Sequence, residues 1–570
     1  MKFLSLPLAF LAATALTFGV VPTATAEDVT ELSNLYGDYL AASYADEIDD
    51  MVAKQDYFAK AFETAPDDIR IGRRAIVSAI ETGDMQSAVK LAGRVNKQNK
   101  TEVMARGVLG MDAFRKGRNK RALKYFSGSS NDITMTIMMQ LTRGWIEVEE
   151  GDYDAARTRF ESIEAADYFK DFGKLQSAKV DVIEGKYEVA EAKLDEVEAS
   201  GISGVEVILT RTRLLAKQGK TDEALLKLIE LVEDNDALVG GPVGDYKTRL
   251  EDGRDLPEIS IKGQVARALT DPSWAFFARN QSRDGAELFL RMARWVDPSH
   301  QKSAIWLAAM MEELGEAGQT VAYDLYDGIP EDNPYYVSAQ FNIANIYFVQ
   351  EKDDEAIRVL EKLNAREDNF LTRESLGRAR FFRENYAEAL PFYNQIIDSM
   401  TEEEIAGNVT PLRFRGIIFE RLKRWPEAEA DFQRVLSVQP DDVDTLNYLG
   451  YTWVDRGENL TEAFEMIERA LSQEPHSGAI TDSLGWAHYK LGNYVEAKNY
   501  LEDAVSLSPS SATIIDHLGD VYWQLGRKRE AGFQWKRALI FDPTEEEKAN
   551  IELKLVGGLD AVPTTSQALP

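Results

Sequence analysis

Alanine returns at a fixed step of 34 residues, at Ala88, Ala122, Ala156, Ala190 and Ala224, each about five residues after a glycine. The pattern resumes at Ala286, Ala322, Ala356, Ala389, Ala428, Ala463, Ala497 and Ala531, with steps of 36, 34, 33, 39, 35, 34 and 34. A first, degenerate copy lies around Lys54, with Phe58, Ala61 and Pro66 in phase. A period of this size means that one small unit is repeated, and that neither unit can bury its apolar face without a neighbour. Other positions keep step as well. Leu484-Gly485, Gly492, Ala497, Leu501, Ala504 and Pro509 become Leu518-Gly519, Gly526, Ala531, Trp535, Ala538 and Pro543.

Within one unit the apolar spacing is helical. Ile480, Leu484, Ala487 and Leu491 recur on one face, Gly492-Asn493 supplies a turn, and Ala497, Leu501, Ala504 and Val505 mark a second amphipathic helix. Pro509 ends that helix, having no amide hydrogen to continue the ladder. Gly485 and Ala497 are small where the antiparallel helices cross, and a larger side chain there would cost about 1 to 3 kcal/mol.

These residues resemble the tetratricopeptide repeat (TPR), whose pattern places small residues, large apolar residues and a closing proline at fixed positions. The resemblance implies an all-α fold, a TPR helix-turn-helix solenoid (superhelix) of about 14 repeats. Fourteen such units occupy almost all of the chain after its leader, so no separate catalytic domain fits. The largest insertion, from Gly240-Gly241-Pro242 to Asp255-Leu256-Pro257, separates an N-terminal array (27–237) from a C-terminal array (263–545), with 238–262 read as a loop or linker. A smaller insertion, Thr401 to Asn408, extends the loop before the Ala428 unit. Residues 546–557 are expected to form a capping helix over the open end of the stack, and 558–570 a disordered tail.

Residues 1–26 read as an address. Lys2 precedes an apolar stretch broken by Pro7, and Ala24-Thr25-Ala26 gives a small-x-small pattern followed by Glu27. Cleavage is expected after Ala26, which places the mature chain in the periplasm. No later stretch is apolar enough to span a bilayer, so membrane association is expected only through partners. The chain has no cysteine, which excludes disulfides, thiolate metal sites and lipid attachment at a processed N-terminal cysteine. With 65 Lys+Arg against 96 Asp+Glu and a formal charge of −31, a phosphate-backbone binder is disfavoured and no nucleic acid is expected as a partner. Neither a catalytic site, a cofactor nor a metal is expected. His300, His476, His488 and His517 are scattered, and no glycine-rich phosphate loop, nucleophile elbow or zinc motif is present. The basic run from Arg115 to Lys124 reads as a solvated hairpin turn.

The resemblance further implies that the first helix of each hairpin lines a concave face. Its inward positions in the last three units include Asn447, Tyr451 and Asp455, then Asp482, Trp486 and Tyr489, then Asp516, Asp520 and Trp523. Upstream, Phe341, Asn345, Arg378 and Arg413 occupy the same phase, so the middle of the row is more basic and its end more acidic. Aromatic rings give large contact area at low entropic cost, and the carboxylates suit Lys, Arg or free amide hydrogens of an extended peptide. The competing reading assigns the Trp residues to gaps between repeats and the Asp residues to helix caps.

Leu446-Asn447-Tyr448-Leu449-Gly450, Asp482-Ser483-Leu484-Gly485-Trp486 and Asp516-His517-Leu518-Gly519-Asp520 with Phe533-Gln534-Trp535 are similar to a group of exported TPR proteins of Gram-negative bacteria. That likeness implies a non-enzymatic scaffold or adaptor binding proteins or peptides, with a carboxyl-terminal processing protease or its substrates as partners. The alternative is a component of envelope or polysaccharide assembly and export, its inner Trp and Tyr stacking on glycan.

Overall fold

The computed structural model describes residues 26–562, except 129–131, 165–168, 201–203, 234–241 and 281–282. The leader expected at 1–26 therefore lies almost wholly outside the described residues, as does most of the expected tail. Among the described residues there are thirty-one α-helices and no β-strand. Twenty-eight of the helices pair into fourteen antiparallel hairpins, and the remaining three are Pro242–Glu251, Glu402–Gly407 and Glu545–Gly557. The chain is thus an all-α solenoid of TPR type, and no helix among the described residues is long and apolar enough to cross a membrane.

The alanine period has a geometric cause. Ala61, Ala88, Ala122, Ala156, Ala190, Ala224, Ala286, Ala322, Ala356, Ala389, Ala428, Ala463, Ala497 and Ala531 are all 0% exposed, one in the second helix of every hairpin. A methyl group is the largest side chain that this crossing admits. Opposite it, a β-carbon on Gly519 would lie 2.5 Å from the Trp535 ring, and one on Gly485 would lie 2.8 Å from Leu501. The turn between paired helices needs one left-handed residue. Gly83, Gly117, Gly151, Gly185, Gly219, Gly492 and Gly526 supply it with φ of 69 to 84°. Glu351, Glu384 and Lys423 take the same conformation without glycine, at φ of 57 to 62°, so in these hairpins the packing outweighs a penalty of about 1–2 kcal/mol.

The helices divide into two compact units, residues 1–359 and 360–570. The boundary does not fall at 238–262. The insertion contains the helix Pro242–Glu251 instead of a free linker, and its Val243, Tyr246 and Leu250 are buried with Leu209, Leu215, Ala224 and Leu228 of the preceding hairpin. Three apolar residues at helical spacing behind Pro242 make this a docked element. The insertion at 401–408 is likewise helical. Thr401 and Glu404 form a reciprocal capping box at its start, and Ile405 is buried.

The first unit curves back on itself. Helix Arg283–Val296 packs against Ile69–Glu81 and Val103–Arg115, and helix Ile261–Asn280 packs against Ile133–Glu149. Its inner face is therefore filled by its own helices. In the second unit each hairpin packs on the next, with Tyr393, Phe432, Leu449, Trp453 and Ile467 in one continuous core. The last hairpin is closed by Glu545–Gly557, whose Ile551 is 0% exposed. A capping box of Thr544 and Glu547 starts that helix.

Candidate functional site on the inner helices of the second unit

Three parallel first helices carry the residues singled out from the sequence. Val443–Arg456 holds Asn447, Tyr451 and Asp455; Gly478–Lys490 holds Asp482, Trp486 and Tyr489; Ala512–Gln524 holds Asp516, Asp520 and Trp523. Each helix begins at a polar cap, since the Asp442, Ser477 and Ser511 side chains accept from Thr445, Ile480 and Ile514 backbone amides. Fixed starts keep equivalent side chains in register from one hairpin to the next.

The middle of the row is an aromatic stack. Trp486 lies 4.0 Å from the His517 ring and 4.6 Å from the Tyr489 ring, within 14° and 8° of parallel. His517 was not expected in the site, yet its Nδ1 is 3.0 Å from Asp482 Oδ1. Burial opposes charging this histidine, but Asp482, with Asp516 and Asp520 behind it, outweighs burial and pushes its pKa up. Lys490 reaches across to Asp455 at 3.2 Å and lies 5.6 Å over the Trp486 ring. Tyr451 is largely enclosed, and burial, then Asp482 and Asp455, hold its hydroxyl protonated.

The end of the row is closed by the chain itself. Lys554 of the capping helix donates to Asp516 at 2.6 Å and to Asp520 at 2.7 Å, and Trp535 Nε1 donates to Asp520 at 2.9 Å. Asp516 and Asp520, expected to face a partner, are instead 8% and 4% exposed beneath this helix. Burial and the neighbouring Asp516 carboxylate push Asp520 up to about 6. Trp523 is also covered: Gly558 abuts its ring so closely that no β-carbon would fit, and Lys528 lies 4.5 Å over it. The same residues that look free in one repeat become packing residues where the array stops.

Upstream, the expected residues disperse. Arg413 pairs with Asp442 and Asp444, each at 3.0 Å, and its guanidinium is thereby committed. The Arg378 side chain is half exposed, 3.4 Å from Glu374. Phe341, partly buried, and Asn345, exposed, belong to helix Tyr336–Val349 of the first unit. Asp482, 6% exposed and paired with His517, is committed as well, so the arrangement that remains is Asn447, Tyr451, Trp486 and Tyr489. Two of its atoms are buried without a hydrogen-bond partner, the acceptor Asn447 Oδ1 and the donor Trp486 Nε1. The partners that sequence reasoning missed, His517 and Lys554, lie 35 and 38 or 34 residues from the carboxylates they bind. One repeat length of 34 residues from Asp482 lands on Asp516, one residue short of His517.

The hairpins of this row are of tetratricopeptide type in geometry. Residues 415–478 and 482–511 match models of the tetratricopeptide repeat, so this part of the second unit consists of TPRs. The chain is also 26% identical over 197 residues to the TPR repeat-containing protein PA4667 of Pseudomonas aeruginosa. That match covers 35% of this chain and 32% of the relative, so the chain spans about a third of the relative's length. Among solved structures, the Cut9–Hcn1 assembly of the APC/C is 14% identical with a TM-score of 0.36, covering 94% of this chain and 99% of that one. A tetratricopeptide repeat protein from Parabacteroides merdae is 19% identical with a TM-score of 0.35, covering 52% and 98%. The fold is carried by the hairpins themselves and not by these distant likenesses.

Proposed function

We propose that the protein is a non-enzymatic scaffold of the bacterial periplasm that binds an extended polypeptide along Asn447, Tyr451, Trp486 and Tyr489, and presents substrates to a carboxyl-terminal processing protease. The observation that carries the reading is the unpaired acceptor and donor on successive inner helices, Asn447 Oδ1 and Trp486 Nε1. A buried polar atom without a partner costs about 1–3 kcal/mol, and a peptide bond offers one donor and one acceptor to relieve both. Export is supported by the leader pattern ending at Ala24-Thr25-Ala26, and the protease by the likeness of the last three repeats to exported adaptors. Glycan stacking is less well supported, because Trp486 already stacks on His517 and Tyr489.

The test is capture from an envelope extract with the tagged mature chain and with Asn447→Ala/Tyr451→Ala, both checked for equal helicity. Retention of a processing protease or its substrates by the parent, and their loss from the variant, is the expected result. Equal capture by both would show that this row does not bind.

A further inference from the structure

The first unit contains a cavity of about 370 Å³ that the scaffold reading does not use. It opens among the helices Ile133–Glu149, Lys170–Glu184, Val205–Lys217 and Ile261–Asn280, with the 252–260 segment along one side. Lys179, Arg213, Lys217 and Arg267 line it, against only Glu206 and Glu258. Lys217 and Glu258 pair with one another at the exposed rim, 3.2 Å apart. Inside, one carboxylate serves two cations: Glu206 Oε1 accepts from Lys179 at 2.8 Å and from Arg267 at 3.3 Å. The adjoining Lys302 pairs with Asp271 at 3.1 Å. That leaves Arg213 with no carboxylate.

Arg213 is nevertheless held in place. Its Nη2 donates to the Tyr246 hydroxyl and to the Pro257 carbonyl, which fixes the plane of the guanidinium, while its Nε is buried without a partner. Gln264, 8% exposed on the cavity wall, also has its Oε1 unpaired. His300, beside the cluster, senses the same surplus: burial, then Arg267 and Lys302, push it down to about 3. A buried positive surplus in a chain of net charge −31 is not a consequence of composition. Val182, Ile183 and Leu209 give the cavity an apolar wall. The volume lies within the range of small-ligand sites, about 300–1,000 Å³.

We propose that this cavity binds a carboxylate borne on an apolar body, with the carboxylate paired to Arg213 and the apolar body against Val182, Ile183 and Leu209. With Nη2 committed to Tyr246 and Pro257, Nη1 and the unneutralised guanidinium charge remain to pair with a carboxylate. Two sources share this chemistry, a free aliphatic acid and the carboxyl terminus of a polypeptide ending in an apolar residue. The site lies in the other unit from the peptide row and stands or falls separately from it.

The experiment is calorimetric titration of the mature chain with N-acetyl-leucine, with a hexapeptide ending in leucine, and with the same hexapeptide amidated at its C-terminus. Binding of a free carboxylate at least about tenfold tighter than the amide is expected. A tighter peptide identifies a chain terminus as the ligand, and a tighter N-acetyl-leucine identifies a free acid. Arg213→Met should remove the preference for the carboxylate. Because that change also cuts the bonds to Tyr246 and Pro257, Ile183→Trp serves as a second variant. It fills the cavity from a half-exposed position and touches no ion pair, and it should weaken binding at least about tenfold at unchanged helicity. No heat from any probe up to about 1 mM, equal affinity for acid and amide, or undiminished binding by Ile183→Trp would overturn the proposal.

Discussion

The two units bury clusters of charge with opposite surpluses. In the first, Lys179, Arg213, Arg267 and Lys302 surround Glu206 and Asp271; in the second, Asp482, Asp516 and Asp520 surround Lys554 and His517. Both clusters sit at inner positions of first helices, where a repeat offers side chains that its own hairpin does not pack. What differs is the element that covers them. In the first unit helix Ile261–Asn280 brings Arg267 and Asp271, one charge of each sign, whereas in the second the capping helix brings one lysine to three aspartates. The surplus of the first cluster thus comes from Lys179, Arg213 and Lys302 on the repeat helices themselves, and the second keeps a negative surplus although the closing helix adds a lysine.

The largest expected effect breaks the first cluster. Glu206 is 8% exposed, and although burial opposes its ionisation, Lys179 and Arg267 hold its carboxyl far below the usual carboxylate range. Glu206→Gln leaves both cations sharing a neutral amide, so it should cost about 3–5 kcal/mol in urea denaturation followed by helicity. A loss below about 1 kcal/mol would mean that the cluster is open to water and not a buried one.

Much of this architecture is legible in the sequence, and the reason is steric. A crossing that admits only a methyl group writes Ala into every repeat, so fourteen hairpins can be read from spacing alone. The inner row can be read too, because register passes unchanged from Asn447 to Asp482 and from Tyr451 to Trp486. What escapes is everything that depends on an element outside the period. Lys554 lies beyond the last repeat, and nothing in its neighbourhood marks it as the partner of Asp516 and Asp520. The cavity escapes for the same reason, since its charges come from separate hairpins and from a helix that folds back across them. The docked insertion was readable: Val243, Tyr246 and Leu250 follow Pro242 at helical spacing, but the flanking Gly and Pro residues suggested a linker.

His300 and His517 sharpen the comparison, because burial acts on both and the surrounding charge adds to it at one and outweighs it at the other. Burial, then Arg267, Lys302 and Lys179 with Glu206 opposing, lowers the pKa of His300 from 6.5 to about 3. A depressed value means stability that is complete above about pH 6.5 and is lost as pH falls toward 3, at up to about 1.4 kcal/mol per pH unit. His517 faces Asp482, Asp516 and Asp520 and is raised, so its contribution is complete below about pH 6.5 and is lost as pH rises through its folded value. Asp520, raised from 3.8 to about 6, runs in the same direction: its contribution is complete below 3.8 and lost as pH rises through 6. The chain has four histidines, so an NMR titration resolves them individually. His300 should remain neutral below pH 5 while His517 remains charged above pH 6.5, both relative to an ordinary value of about 6.5. Two titrations at the same ordinary value would remove the difference between the clusters.

The smallest expected effect is also the one that most directly separates them. Asp516→Asn removes a buried carboxylate, as Glu206→Gln does, but from the cluster that already has too many. Asp516 Oδ2 accepts from Lys554, and its Oδ1 is buried without a partner. An asparagine can keep the first bond through its carbonyl oxygen while the second position loses an uncompensated charge. Asp520 is simultaneously released from its nearest like charge, so its pKa should fall below about 6 and its pairing with Lys554 should strengthen. The two changes oppose the loss of one ion pair, and the net effect at neutral pH should lie within about 1 kcal/mol of zero. A loss as large as that of Glu206→Gln would mean that Asp516 is the indispensable partner of Lys554 and that the second cluster holds no negative surplus. A change near zero, beside a large one at Glu206, would show that the same removal of a carboxylate is decided by the charge already gathered around it.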